Sequence, residues 1–166
     1  SEELFTRFDV DDVWGTVINR FCAEAVVNHP LTIYGSGLQK KGFTSLEDTI
    51  TALAALIENP PEPGEFRTVH HYREVKTLNE MAELVRRAAK QVLGYEPEIM
   101  HIPNPRVEPE EDLLYEPEKN VLPKLGIYRL TRVMEDEVVT MLKDLKPYVD
   151  RIRRIKALFM PRVSWR

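Results

Sequence analysis

Three cations stand where glycine or proline fixes the backbone: Lys40 and Lys41 follow Tyr34-Gly35-Ser36-Gly37-Leu38-Gln39, and Arg106 lies in Asn104-Pro105-Arg106-Val107-Glu108. A guanidinium held beside a proline can grip a phosphate by two parallel hydrogen bonds, and a nearby lysine adds a point charge, so a diphosphate is the natural ligand of such a set. On composition alone the same residues read as ordinary surface cations. Tyr72 and Lys76 have the Tyr-x-x-x-Lys spacing in which a lysine lowers a tyrosine pKa for proton transfer. That pair needs a turn of helix, whereas here it falls at a strand end before the helix start at Thr77, and the spacing is read as accidental. His70 and His71 are neighbours on an extended segment and face opposite sides, so they do not share a metal; His29 and His101 have no companion ligands at metal-binding spacing. Neither a metal site nor a catalytic residue is assigned. No Gly-x-x-Gly-x-x-Gly follows a strand, so no dinucleotide-phosphate cradle is assigned to this chain either.

The elements that must position these residues alternate along the chain. Apolar residues at Trp14, Val17, Ile18, Phe21, Cys22, Ala25 and Val26 repeat at helical spacing over 13–27, and Pro30 stops the run. Leu31 to Tyr34 is a short β-branched strand entering a glycine turn, with a loop to about Lys41. Ser45 and Asp48 start a helix carrying Ile50, Leu53, Ala54 and Ile57, which Asn59-Pro60-Pro61 cannot continue. Phe66 to Val75 reads as a strand, Thr77 with Glu80 as a capping box, and Gly94 as the end of the helix they open. Glu98 to Ile102 is a further strand. The acidic segment Glu108 to Glu118 is a solvated loop before a helix near Val121 to Leu125, closed by Gly126. A helical region follows from Thr131, divided at Pro147, and its second part carries Arg151, Arg153, Arg154 and Lys156 on a basic solvent face.

The whole is an α/β pattern of 166 residues, enough for one domain, with 43% hydrophobic and 30% charged residues. No apolar run approaches the ~20 residues that span a bilayer. A net charge of -4 excludes a general phosphate-backbone binder, so neither nucleic acid nor a membrane is expected as a partner. The single cysteine, Cys22, sits in an apolar helical run and is read as a buried thiol in a reducing, cytoplasmic setting.

Beyond the Tyr-Gly-x-Gly-x-Gln stretch, Gly15-Thr16-Val17-Ile18-Asn19-Arg20-Phe21-Cys22, Gly64-Glu65-Phe66-Arg67, Asn104-Pro105-Arg106-Val107-Glu108 and Met160-Pro161-Arg162-Val163-Ser164-Trp165 together resemble the C-terminal half of the UDP-sulfoquinovose synthase family. These are extended short-chain dehydrogenases among the sugar-nucleotide epimerases and dehydratases. The resemblance covers nearly the whole chain. It implies a single UDP-sugar-binding lobe over 1–166, without the Rossmann part that binds NAD and carries the catalytic threonine and Tyr-x-x-x-Lys. The family converts UDP-glucose and sulfite to UDP-sulfoquinovose through oxidation at C4, elimination and sulfite addition, so a plastid location is compatible if a transit peptide has been removed. It further implies that Thr16 and Val17 touch the nucleotide or sugar, that backbone groups of Thr32 and Tyr34 read the uracil, and that Arg106 holds the diphosphate. Gln39 belongs to the same loop, and Lys41 stands where the family has an arginine reaching the phosphate, which keeps the charge and loses the two-pronged grip. The expected consequences are that the chain alone is inactive and binds no NAD, and that the segment near 65–75 adds to the Rossmann sheet. That segment and the first helix would then lose apolar cover when alone. Homodimerisation, membership of another epimerase or dehydratase group, and a non-catalytic binding or assembly module are the alternatives the sequence leaves open.

Overall fold

The structure, a computed structural model, describes residues 16–104 and 132–160. The first helix, α1, runs Val17–Val26 and buries Phe21, Cys22, Ala23, Ala25 and Val26, so the apolar spacing in this run is a core-facing pattern. Burial in these surroundings pushes the Cys22 thiol up to about 12. Asn28 reverses the chain in the left-handed region at φ 55°, and β1 follows at Leu31–Tyr34.

β1 pairs in parallel with β4, Ile99–Ile102, in the register Leu31 opposite Ile99 through Tyr34 opposite Ile102. A second pair, β2 at Lys40–Phe43 and β3 at Glu74–Thr77, is antiparallel. Between these two strands lies α2, Leu46–Glu58, opened by Ser45, whose hydroxyl accepts the Asp48 amide at 2.9 Å. The long helix α3, Leu78–Leu93, starts on a capping box: the Thr77 hydroxyl accepts the Glu80 amide, and the Glu80 carboxylate accepts the Thr77 amide. It ends at Gly94, in the left-handed conformation that favours a residue without Cβ. α4, Met134–Leu145, passes through a 3-10 turn at Lys146–Tyr148 into α5, Val149–Arg154; Pro147, which lacks a backbone donor, sits in that turn.

The core is a three-helix packing over β1. Phe21 of α1, Met81, Leu84 and Val85 of α3, and Val138, Leu142 and Leu145 of α4 share one apolar cluster with Leu31 and Ile33. Each such side chain, fully buried, stabilises by about 1.5–3 kcal/mol. Two strands cannot hold themselves together in water, and here the helices supply the apolar contact that the pairs lack.

Several expectations are corrected. Lys40–Phe43 is a strand rather than loop: Lys-Lys-Gly-Phe has little intrinsic strand preference, and its extended form comes from pairing with a segment distant in sequence. Conversely, the strand expected at Phe66 to Val75 contracts to Glu74–Thr77, because β2 offers four partners and the last bond beyond the register runs from the Arg73 amide to the Phe43 carbonyl. Residues 65–73 are irregular, and Phe66 is 91% exposed. Over its described residues the first helix lies against α3 and α4 and shows no large exposed apolar side chain, whereas α2, Leu38 and Phe66 do. Arg106, the acidic segment, the helix expected near 121–125 and the C-terminal motif lie outside the described residues.

The turn after β1 is fastened to the start of α3. The amides of Leu78 and Asn79 donate to the carbonyls of Gln39 and Gly37 at 3.2 and 3.1 Å, and the Asn79 side-chain amide donates to the Ser36 carbonyl at 3.0 Å. Gly37 lies at φ 72°, and a Cβ there would meet Asn79 Oδ1 at 2.3 Å and Ile33 Cγ2 at 2.8 Å. Gly37→Ala combines left-handed strain with overpacking, and should lower stability by about 3 kcal/mol in urea titrations. A loss under about 0.5 kcal/mol would mean the turn is not fastened in this way.

Candidate functional site

The amides of Leu31 and Gly35 donate to the carbonyls of Glu98, just before β4, and Ile102 at its end. Peptide groups alternate along a strand, so those of Thr32 and Tyr34 face the opposite, open edge of β1. The two residues expected to read a base therefore share one edge. At Thr32 that edge is occupied by α1. The Thr32 amide donates to Glu24 Oε2 at 3.0 Å, its hydroxyl donates to Glu24 Oε1, and its carbonyl accepts from Arg20 Nη2 at 2.6 Å. With the amide engaged, a ligand would find at Thr32 only the carbonyl's second lone pair.

Arg20 and Glu24 are one helical turn apart, with Nε to Oε1 at 3.7 Å. Glu24 is fully buried. Burial pushes its carboxyl up to about 7, against the opposing pull of the Arg20 charge and the two Thr32 hydrogen bonds. The Arg20 guanidinium also lies 4.1 Å from the centroid of the Tyr34 ring, a cation–π stack that fixes the ring beside the open edge.

Gln39 is buried, and its Nε2 donates to the Tyr34 carbonyl at 3.4 Å, bringing these two expected site residues together. Its Oε1 accepts no hydrogen bond among the described residues. Lys41, half-buried on β2, lies directly opposite Lys76 on β3, and Lys76 pairs with Glu74 at 3.0 Å. Like charges directly opposed on neighbouring strands repel, a cost an anion between them would offset. Lys76 and Tyr72 share no helical turn, in keeping with an accidental spacing.

A cleft of about 500 Å³ opens between the start of α1, the β2–α2 junction, β3 and α4. Thr16 lines it, together with Phe43, Arg73, Arg132 and Met141; Val17, Thr32, Tyr34, Gln39 and Lys41 do not. Thr16 is the extended residue before α1 and gives no side-chain cap to it. Glu74 ties the cleft wall to α4 by accepting the Met134 amide at 2.9 Å. Burial alone would raise its carboxyl, but the Met134 amide and Lys76 outweigh it and hold the group below the ordinary carboxylate value. Arg132 pairs with Glu47 of α2, and its amide donates to Asp48 Oδ2 at 3.3 Å.

The expected residues thus divide into three places: Thr32, Tyr34 and Gln39 around the β1 edge, Lys41 on β2, and Thr16 in the cleft with Val17 next to it on α1. Arg106 is outside the described residues. Sequence reasoning passed over Arg20 and Glu24, although a charged i, i+4 pair inside an otherwise apolar helical run was a visible signal of a buried polar contact. Arg73 and Arg132 carried no such signal. Among the described residues no cluster of His, Cys, Asp and Glu could hold a metal, and no helix is long and apolar enough to cross a membrane.

No protein-family model matches the chain. A UDP-sulfoquinovose synthase of Sulfolobus acidocaldarius is 50% identical over 99% of this chain, and the chloroplastic UDP-sulfoquinovose synthase of Spinacia oleracea is 39% identical over 99%. The chain is a homologue of the UDP-sulfoquinovose synthases. It spans 41% of the first synthase and 33% of the second. Among solved structures, a UDP-glucuronic acid 4-epimerase from Bacillus cereus, in complex with UDP-glucuronic acid and NAD, superposes with a TM-score of 0.55 at 17% identity, covering 84% of this chain and 40% of the epimerase. That likeness is one of fold: an α/β arrangement of short strands and several helices, shared with part of that epimerase.

The Glu24 carboxyl gives this synthase homologue a specific pH dependence. An unfolded Glu24 ionises near the ordinary carboxyl value of 4.5, whereas in the fold it is held up to about 7. Its contribution to stability is therefore complete below pH 4.5 and is lost as pH rises to 7. Relative to Glu24→Gln, which keeps the shape without the titration, the wild type should lose roughly 3 kcal/mol across that window in urea melts. A difference between the two proteins that stays flat from pH 4.5 to 7.5 would show that Arg20 keeps Glu24 ionised throughout.

Proposed function

We propose that the chain is the UDP-sugar-binding part of a UDP-sulfoquinovose synthase-like enzyme whose intact form converts UDP-glucose and sulfite to UDP-sulfoquinovose with NAD. The observation that carries this is 50% identity to a UDP-sulfoquinovose synthase over 99% of the chain. The site geometry supports it. The Tyr34 peptide groups lie on the edge of β1 away from β4, its carbonyl shared with Gln39 Nε2, beside a ring stacked on Arg20, a setting suited to the flat, hydrogen-bonding edge of a uracil. The unused Gln39 acceptor fits a ribose or sugar hydroxyl, and the opposed Lys41 and Lys76 suit a diphosphate, which Arg106 completes by its resemblance to the family. Thr16 and Val17, at the start of α1, face the sugar or nucleotide in this reading.

In this reading NAD is held outside the described residues. Gly35 and Gly37 occupy a turn that leads from one strand to another, and Gly94 closes a helix, so the described glycines form no strand-to-helix phosphate cradle. The dinucleotide and the catalytic groups belong in this reading to the Rossmann part of the parent, and the chain alone is inactive. Its expected location is the cytoplasm, or a plastid where a transit peptide directs it.

Calorimetric titration of UDP-glucose into the purified chain tests the reading. One saturable site is expected, weakened at least tenfold in Arg106→Ala and again in Lys41→Ala, in line with the ~1.5–3 kcal/mol of a hydrogen bond to a charged group. Binding unchanged in both variants would remove the diphosphate assignment. Joining the chain to the remainder of the Sulfolobus acidocaldarius synthase and following sulfite incorporation separates this reading from another epimerase or dehydratase, which would release no sulfonated sugar.

A further inference from the structure

Arg20 is aimed at β1 and away from its helical neighbour. Its Nε lies 3.7 Å from Glu24 Oε1 and, though buried, makes no hydrogen bond among the described residues. Its Nη2 donates to the Thr32 carbonyl at 2.6 Å, and the guanidinium covers the Tyr34 ring at 4.1 Å. A pair whose task was to neutralise a carboxylate within the helix would close to about 2.8 Å. Glu24 in turn gives both oxygens to Thr32 and neither to Arg20. Two charged side chains are thus drawn out of a close ion pair to hold a four-residue strand, at the edge assigned above to the nucleotide.

We propose that Arg20 is a positioning residue for the nucleotide end of the ligand and that Glu24 regulates it, so that the pair sets how firmly the edge of Thr32 and Tyr34 takes an anionic nucleotide; this rests on the UDP-sugar reading above. Arg20 acts through Tyr34. Its planar guanidinium fixes the tilt of the ring, and with it the residue whose carbonyl also takes Gln39 Nε2. Glu24 acts through charge. Ionised, it offsets the Arg20 cation 3.7 Å away; protonated, it leaves that cation uncompensated beside the edge, where it attracts a diphosphate. The anion and the proton on Glu24 therefore favour each other, and affinity falls as pH rises through the Glu24 value of about 7. On the core side, α3 and α4 meet α1 through apolar side chains, among them Met81 and Val85 of the one and Val138 and Leu142 of the other. Among the described residues, Arg20 is the one charge that acts on Glu24. On the strand side the titratable neighbours are His29, against the Pro30 carbonyl, His101 of β4, against the Gly35 carbonyl, and Tyr95, whose hydroxyl donates to the Ala25 and Val26 carbonyls. These three are the same in wild type and in each variant below, so a difference between the proteins reports the pair.

The test is calorimetric titration of UDP-glucose, whose diphosphate keeps a constant charge over the range, into the full chain at about pH 5.5, 7 and 8.5. Arg20→Lys and Glu24→Gln are measured alongside, with circular dichroism at each pH to verify the fold. The wild-type Kd is expected to rise about fivefold from the most acid to the most alkaline point. Glu24→Gln, which keeps the shape without the charge, should hold the tight, acid-side Kd throughout. Arg20→Lys keeps a cation beside Glu24 but loses the planar stack, so its Kd should be about tenfold weaker at every pH, with a melting temperature near that of wild type. A pair with a structural role alone would lower the melting temperature and leave the Kd of the folded chain unchanged; that result overturns the proposal. So do parallel pH profiles for wild type and Glu24→Gln, a comparison that decides the matter even where Arg20→Lys does not fold. Saturable binding with a flat wild-type profile sinks the regulation and leaves the UDP-sugar reading intact, whereas no binding by the folded wild type at any of the three pH values sinks both.

Discussion

A carboxyl group that water does not reach organises one side of this molecule. Glu24 takes both the amide and the hydroxyl of Thr32, and Arg20, a turn away, takes the Thr32 carbonyl and lies on the Tyr34 ring. A buried polar group is tolerable only when its hydrogen bonds are made, and here the bonds that satisfy Glu24 also fix the height and rotation of β1 against α1. The position of the Tyr34 edge, and of Gln39 that reaches back to it, follows from that tie. The same low-dielectric setting that makes the bonds strong is what raises the Glu24 carboxyl, so the anchor of the strand is also its most pH-sensitive point.

The strand pairs themselves are minimal. With two strands each, neither β1–β4 nor β2–β3 has an interior, and their order derives from what lies on them. α3 serves both: its body shares the core with β1, and its first amides hold the glycine turn between β1 and β2. That double use places Gly37, Gln39 and Lys41 relative to Tyr34 without any long-range contact among those side chains. By contrast α2 is attached through alanines and a few polar bonds from Arg132, which leaves its aliphatic ridge outward. The described fold is thus closed around β1 and leaves the aliphatic face of α2 exposed.

The local grammar of the chain was largely legible. Ser45 with Asp48 and Thr77 with Glu80 mark helix starts by side-chain acceptors that satisfy orphan amides, Gly94 marks an end by its left-handed conformation, and Pro147 marks the break between α4 and α5. These signals act within a few residues and need no knowledge of partners. The strand at Lys40–Phe43 had no such signal, and the strand expected from Phe66 was too long, because the extent of a ladder is set by the partner's length and not by either segment alone. The family pattern named Thr32, Tyr34 and Gln39, which the structure brings together at one edge of β1; the engagement of the Thr32 amide by Glu24 was not legible, since it depends on α1 folding back over β1.

The sequence by itself determined the α/β class, the helix starts at Ser45 and Thr77, the helix end at Gly94, the buried thiol of Cys22 and, through motifs, the similarity to UDP-sulfoquinovose synthases, because capping, periodicity and residue identity are properties of short stretches. Only the tertiary structure decided which face of each helix is covered. α1 and α2 both carry apolar stripes, yet α1 is enclosed by α3 and α4 while α2 shows its largest side chains to solvent. Periodicity gives the direction of an apolar face on a helix; what lies opposite that face is fixed by the packing of elements far apart in the chain.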